Sequence, residues 1–448
     1  MYIWNQDTIP ILQLGTDFYD PVKPAEFPAQ TLRYWNSSLG IKADKSHFVK
    51  FHQLENNLTT PLALRYHGHQ FQHYNPDLGD GRGFLFGQIK SGGQWYDFGT
   101  KGSGQTPYSR SGDGRLTLKG AYREALATEM LESLGVNTSR TLCIFETGEN
   151  LQRNDEPSPT RSAVLTRYTQ GHIRIGTFQR LAYFRQTENI RKLTSYCMNF
   201  YYSEKNADPG NPEQQAELFL NSVVERNAKL VAQVMMAGFV HGVLNTDNIN
   251  ISGELFDYGP YRFMPAYDPQ FTAAYFDHQG LYSFGRQPAS FLWALHQLGG
   301  CLKAAFPELT SDLILARFSD LFNTEVQLAF LNRLNLTPLD PESNSSLLSE
   351  FFAVMQEQSL NFEQMFFDFN SKRVLQNPGN NRKSLLQKLE KFEVKLRNVL
   401  EHDYFKNSRP CTLLIDEIEA IWKNISDAND WSAFESKLQS IRSFRGVY

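Results

Sequence analysis

Between Gly238 and Gly259 lies the feature that most limits what this chain can fold into: His241-Gly-Val-Leu-Asn-Thr-Asp-Asn248 and, nine residues after Asn248, Asp257-Tyr-Gly259. Directly before it, Phe219, Val223, Leu230 and Val234 recur at spacings of four, seven and four residues, which predicts a helix stopped at Gly238. Short β-prone pieces over residues 239–244 and 249–256 then alternate with polar turns. Asp and Asn often do no more than close turns. The paired spacing of these two segments favours a functional loop instead.

In a protein-kinase catalytic loop the order HRDxxxxN is followed by DFG, the Asn and the second Asp both holding magnesium on phosphates. Aligning on His241 puts Asn248 and Asp257 on those two metal positions and Val243 on that of the catalytic Asp. Valine cannot accept a proton or orient a hydroxyl. Asp247, next to Asn248, is the carboxylate able to take over. Upstream, Gly79-Asp-Gly-Arg-Gly83 precedes a β-prone run, Lys101 follows, and Glu124 lies in a helical stretch. Glycines let backbone approach phosphates, and a strand Lys paired with a helix Glu steadies a phosphate-contacting ammonium. The glycine-dense insertion over residues 101–115 has amides and arginines suited to an anion, and Arg167 and Arg174 add two more guanidinium groups. His67, His69 and His73 read as packing and hydrogen-bonding residues of an aromatic turn rather than as metal ligands.

Around these motifs the chain reads as α+β. Residues 83–90, 94–100 and 140–145 are β-prone, while Leu118, Tyr122 and Ala125 mark a helix over 117–134 ended by Gly135. The expectation is a protein-kinase-like fold of two lobes: a strand-rich N-lobe over 1–165, a helical C-lobe over 166–300, and an added helical region over 301–448. Within the last, Leu385, Leu389, Phe392, Leu396 and Val399 form one apolar helical stripe. Residues 340–346 and 377–381 are the linker candidates.

A formal charge of -4 and a pI near 6.2 argue against broad binding to nucleic acid or to a membrane surface. Four scattered cysteines without a CxxC pair predict buried free thiols. With no cationic leader and no apolar run of spanning length, the expected location is the cytoplasm.

Several longer segments carry a resemblance: Tyr66-His-Gly-His-Gln-Phe71, Leu78-Gly-Asp-Gly-Arg82, Lys101-Gly-Ser-Gly-Gln-Thr-Pro-Tyr-Ser-Arg110, Gly112-Asp-Gly-Arg115, the two segments of the opening, and Asp277-His-Gln-Gly280. In unbroken order over roughly residues 1–300 they resemble the selenoprotein O family, whose members look like protein kinases yet transfer AMP from ATP to protein hydroxyls. The resemblance implies ATP as substrate, Mg2+ or Mn2+ as metal, and proteins bearing Ser, Thr or Tyr hydroxyls as partners. It implies Gly79, Gly81, Arg82, Lys101, Asp113, Gly114, Arg167, Arg174 and Asp257 around the nucleotide, with Glu124 as partner of Lys101. It further implies Asn248 and Asp257 as metal ligands and Asp247 as catalytic base. Many members end in a short cysteine or selenocysteine motif, which residues 442–448 lack, and residues 268–277 hold no cysteine for a disulfide. A nucleotide-binding scaffold without turnover and a kinase-like phosphotransferase are the alternatives at this stage.

Overall fold

The computed structural model describes residues 9–48, 53–54, 56–154, 156–205, 210–357, 359–371, 383–396, 399 and 401–448. Its first part is built on one large antiparallel sheet and a separate two-stranded hairpin. In chain order the strands are β1 (Tyr19–Pro21), β2 (Thr31–Trp35), β3 (Leu62–Leu64), β4 (Gly68–Gln70), β5 (His73–Asn75), β6 (Leu85–Ser91), β7 (Gln94–Lys101), β8 (Leu116–Thr117), β9 (Arg140–Leu151) and β10 (Thr160–Thr169). The sheet runs β1-β3-β6-β7-β10-β9-β2 with β8 on β10, while β4 and β5 pair only with each other. Gly92 and Gly93, at φ +59 and +86, make the left-handed two-residue turn that joins β6 to β7.

Helix α1 (Leu118–Ser133) lies across β9 and β10. The Thr117 side chain caps it by accepting from the Gly120 amide, and Gly135 at φ +80 ends it, as the periodicity predicts. Beyond the sheet come α2 (Ile175–Tyr183), α3 (Thr187–Tyr201), α4 (Pro212–Met236) and α5 (Gln287–Lys303), then further helices as far as Ser432–Arg442. A capping box of Asn211 and Gln214 starts α4, and it stops just before Gly238, where an added Cβ would sit 2.6 Å from the Phe362 ring. The fold is therefore α+β with an antiparallel sheet.

Four expectations change. Residues 249–256 form no strand: they make only single bridges, Arg174 to Asn250 and Thr138 to Leu255; Ile249, Ile251, Leu255 and Phe256 are buried, and a short apolar run does not by itself distinguish a strand from other buried chain. Of residues 239–244 only Phe239–Val240 pairs, with Arg262–Phe263. The stripe of Leu385 to Val399 is not one helix. Helix Lys383–Leu389 ends there, the chain bridges at Leu336 to Val394, and Leu396 is 51% exposed. Residues 340–346 are no linker but the start of helix Pro341–Glu357, where Asp340 accepts from the Ser343 amide. Residues 377–381 fall outside the described residues.

The final two helices, Ile415–Ala428 and Ser432–Arg442, return to the first part of the chain. Trp422 stacks on Tyr122 of α1 at 5.5 Å, and Arg442 and Arg445 both bond Glu129 of α1. One continuous buried apolar cluster accordingly runs from Ile9 to Val447. All four cysteines are free and buried within the fold. Among the described residues no helix is long and apolar enough to cross a membrane.

Candidate active site

Strand alternation puts Lys101 and Arg167 on one face of the sheet, since Lys101 pairs with Leu165 and Arg167 with Gly99 in the β7–β10 register. Glu124 of α1 meets both. The Lys101 ammonium donates to Glu124 Oε2 at 2.9 Å and to Asp257 Oδ1 at 2.8 Å; the Arg167 guanidinium donates to Glu124 Oε1 at 2.5 Å and to Asp257 Oδ1 at 2.7 Å. This is a closed ring of two cations and two carboxylates. Burial alone would push Glu124 and Asp257 up. Arg167 and Lys101 hold Glu124 below the usual range, and Lys101, Arg167 and Arg174 hold Asp257 well below it. Both therefore stay ionised.

Lys101, Arg167 and Asp257 of this ring line a cleft of about 640 Å³, a size typical of small-molecule sites. Gly79, Gly81, Arg82, Asp113 and Gly114 line it, together with Arg174, Asp247 and Asp257. Gly79 has to be glycine: a Cβ there would stand 2.3 Å from the Tyr108 ring. At Gly114 the backbone is left-handed, with φ +68, and a Cβ would strike Gly104 at 2.2 Å. Arg174, from the N-cap of α2, lies over Tyr66 at 4.2 Å and Phe256 at 4.9 Å and donates to Asp80 at 3.1 Å.

Asp247 sits in a single 3-10 turn, Thr246–Asn248. The β4–β5 hairpin holds this turn from the side. The His69 amide donates to Thr246 Oγ1 at 2.7 Å, that hydroxyl donates to Gln179 Oε1 at 2.6 Å, and the Gln179 amide returns to His69 Nδ1 at 2.6 Å. Asn245 Oδ1 accepts from the Phe71 amide at 3.0 Å and the Tyr282 hydroxyl at 2.8 Å. Buried His241 donates through Nε2 to the Phe256 carbonyl at 3.1 Å, tying the loop to the residue before Asp257. Asp247 itself is 9% exposed, and its Oδ1 is buried without a hydrogen-bond partner. Burial pushes its carboxyl up to about 6, against the pull of Arg174.

Two residues singled out from sequence do not line the cleft. Glu124 stands behind it, bonded to Lys101 and Arg167. Asn248 is turned by its own Nδ2, which donates to the Val243 carbonyl at 3.1 Å; its side-chain carbonyl is left for another partner. His67 and His69 pack among Tyr74, Tyr183 and Trp293, the aromatic role their spacing suggests. Sequence reading passed over Tyr66, Gln70, Tyr108, Arg153 and His172 as parts of the cleft. Gly99 was the available signal for His172: a Cβ at that glycine would come within 2.1 Å of the imidazole.

Asn248 and Asp257 fit a hard divalent cation in one respect. On Asp257 both cations bond Oδ1, and among the described residues no hydrogen bond reaches Oδ2. Among the described residues no group of three or more His, Cys, Asp or Glu side chains forms a metal cage. One carboxylate, one amide carbonyl and the substrate's own phosphates are the set magnesium prefers to an all-protein cage.

The model of the family described as protein adenylyltransferase SelO matches residues 5–442. A protein nucleotidyltransferase YdiU of Synechocystis sp. is 42% identical over 465 residues, covering 96% of each chain. The relative of the same name in Trichormus variabilis is 41% identical, covering 96% of this chain and 94% of its own. That of Gloeobacter violaceus is 40% identical, with 96% and 93% covered.

Proposed function

This chain belongs to the protein adenylyltransferase SelO family and is a nucleotidyltransferase, and on that premise we propose that it moves AMP from ATP to Ser, Thr or Tyr hydroxyls of proteins. The observation that carries this reading is Asp247. A buried carboxylate in the cleft wall with an unpartnered oxygen is an acceptor waiting for an O–H donor. Val243 offers no such group.

In this reading Gly79, Gly81, Arg82, Asp113 and Gly114 embrace the nucleotide, and Lys101, Arg167 and Arg174 hold the phosphates at the inner end. Glu124 keeps Lys101 and Arg167 in place. Asp247 takes the proton of the acceptor hydroxyl as its oxygen attacks the α-phosphorus; the bond from that phosphorus to the bridging oxygen breaks, and pyrophosphate leaves. Asn248 and Asp257 would hold Mg2+ or Mn2+, which would supply charge neutralisation on the triphosphate. The scaffold is read as kinase-like, with lobes over 1–165 and 166–300 and a helical region over 301–448, working in the cytoplasm without nucleic-acid or membrane partners.

Incubation with ATP labelled at the α- or the γ-phosphate tests the reaction. Label from the α position should stay on protein. Retention of γ-label alone would sink AMP transfer.

A further inference from the structure

The charges lining the cleft can be matched one by one. Lys101 and Arg167 are bonded by Glu124 and Asp257, Arg174 by Asp80, Arg115 by Glu149, and Arg153 by Asp113. Two cations remain without a carboxylate among the described residues, Arg82 and Arg110. The proposed function already places Arg82 on the nucleotide. It leaves Arg110 unused.

Arg110 stands at the tip of the loop over residues 102–114, in the left-handed region at φ +51. A bulky residue keeps that conformation only where its surroundings impose it, and such positions gather at functional sites. Here the surroundings are explicit. The Ser109 hydroxyl bonds the Gly81 carbonyl and accepts from the Thr106 amide at 2.8 Å, while the Gly112 amide donates to the Ser109 carbonyl at 2.7 Å. The Thr106 hydroxyl bonds the Asp80 carbonyl. The chain before Arg110 is thus sewn to the glycine turn over residues 79–83 and the chain after it is bonded back to Ser109, while the Arg110 side chain is exposed and, among the described residues, makes no ion pair. Arg110 lines the same cleft as Asp247, and its guanidinium is the cation there that, among the described residues, neither a carboxylate nor the proposed nucleotide contacts occupy.

The geometry points to Arg110 as a further catalytic residue, whose guanidinium contacts the non-bridging oxygens of the transferring α-phosphate. This rests on the AMP-transfer reading above. As the acceptor oxygen bonds to the α-phosphorus, its proton passes to Asp247 and the electron pair of the breaking bond leaves with pyrophosphate. Arg110 neutralises charge on the group in flight and releases nothing itself.

The test uses the full chain, α-labelled ATP and dephosphorylated casein as acceptor. Arg110→Ala should slow label transfer about a hundredfold, the usual loss for one such donor, with ATP binding by calorimetry retained and Arg110→Lys partly restoring the rate. The two diastereomers of ATP carrying sulfur on the α-phosphate add a readout that a structural role leaves still: the isomer preference of the wild type should shrink in Arg110→Ala. A variant as fast as wild type, or a slow one with the wild-type isomer preference, overturns the assignment. Failure of the wild type to transfer any α-label would overturn the AMP-transfer reading, and this one with it.

Discussion

Asp247 and Asp257 lie ten residues apart and on the same cleft, yet their surroundings drive them in opposite directions. Asp257 shares its Oδ1 with Lys101 and Arg167 and stays ionised; Asp247, with Oδ1 alone in the wall, is pushed up to about 6. A split of that kind separates a charge holder from a proton acceptor. Replacing Asp247 by Asn keeps the shape and removes the base of the proposed reaction, so on that proposal AMP transfer should fall by about 10²- to 10⁴-fold while calorimetry still detects ATP binding. A third carboxylate, outside the cleft, is raised by burial as well. Glu254 is buried with its Oε2 accepting from the Gln170 amide at 3.0 Å and from the Thr169 hydroxyl, and burial pushes it up to about 7 from the ordinary 4.5. Between those values the unfolded chain loses the proton that the folded one keeps, so stability falls as pH rises, and the contribution is gone once pH passes about 7. Urea unfolding should show Glu254→Gln, which keeps an acceptor but cannot ionise, as more stable than wild type at pH 8 by on the order of 3 kcal/mol. At pH 4.5 the two should nearly coincide.

Helix α1 carries its two buried glutamates to different neighbours. Glu124 reaches into the ring with Lys101 and Arg167, whereas Glu129, 2% exposed, is held by Arg442, Arg445 and the Tyr34 hydroxyl. Its carboxyl stays below the usual range because the Arg442 and Tyr34 hydrogen bonds outweigh burial, which alone would raise it. Replacing Arg442 and Arg445 together by Ala would leave Glu129 buried without its cations. Breaking such a pair in the interior costs about 3–5 kcal/mol, and the partly exposed arginines reduce this to about 2–3 kcal/mol. Denaturant titration of the double variant measures it; a loss below about 0.5 kcal/mol would show that the final helix does not anchor α1. The start and stop of α1 were legible in the sequence because Thr117 and Gly135 act locally. The breakdown of the 385–399 stripe was not, since the bridge from Leu336 to Val394 that redirects the chain comes from a distant segment.

At the scale of the whole molecule the cleft draws on residues from Tyr66 to Asp257, so nucleotide binding, as proposed for it, should report on their joint placement. ATP at a hundred times its dissociation constant should stabilise the native state by about 2.7 kcal/mol. A matching rise in Tm, lost in Lys101→Met, is the expected result. The four buried thiols predict a second global behaviour: a thiol reagent should leave the native protein unlabelled and react with all four only on unfolding. The order of chemistry along the chain came from sequence alone, because motif spacing, capping residues and turn glycines act over a few bonds: Lys101, Glu124, Asp247 and Asp257 could be named together. The sequence could not reveal that Asp257 answers to two cations at once, that the β4–β5 hairpin braces the turn of Asp247, or that Arg110 has no carboxylate partner among the described residues. Those facts depend on which strands lie side by side and on how far charge is withdrawn from water. Burial and long-range pairing set both, and they exist only once the chain has closed on itself.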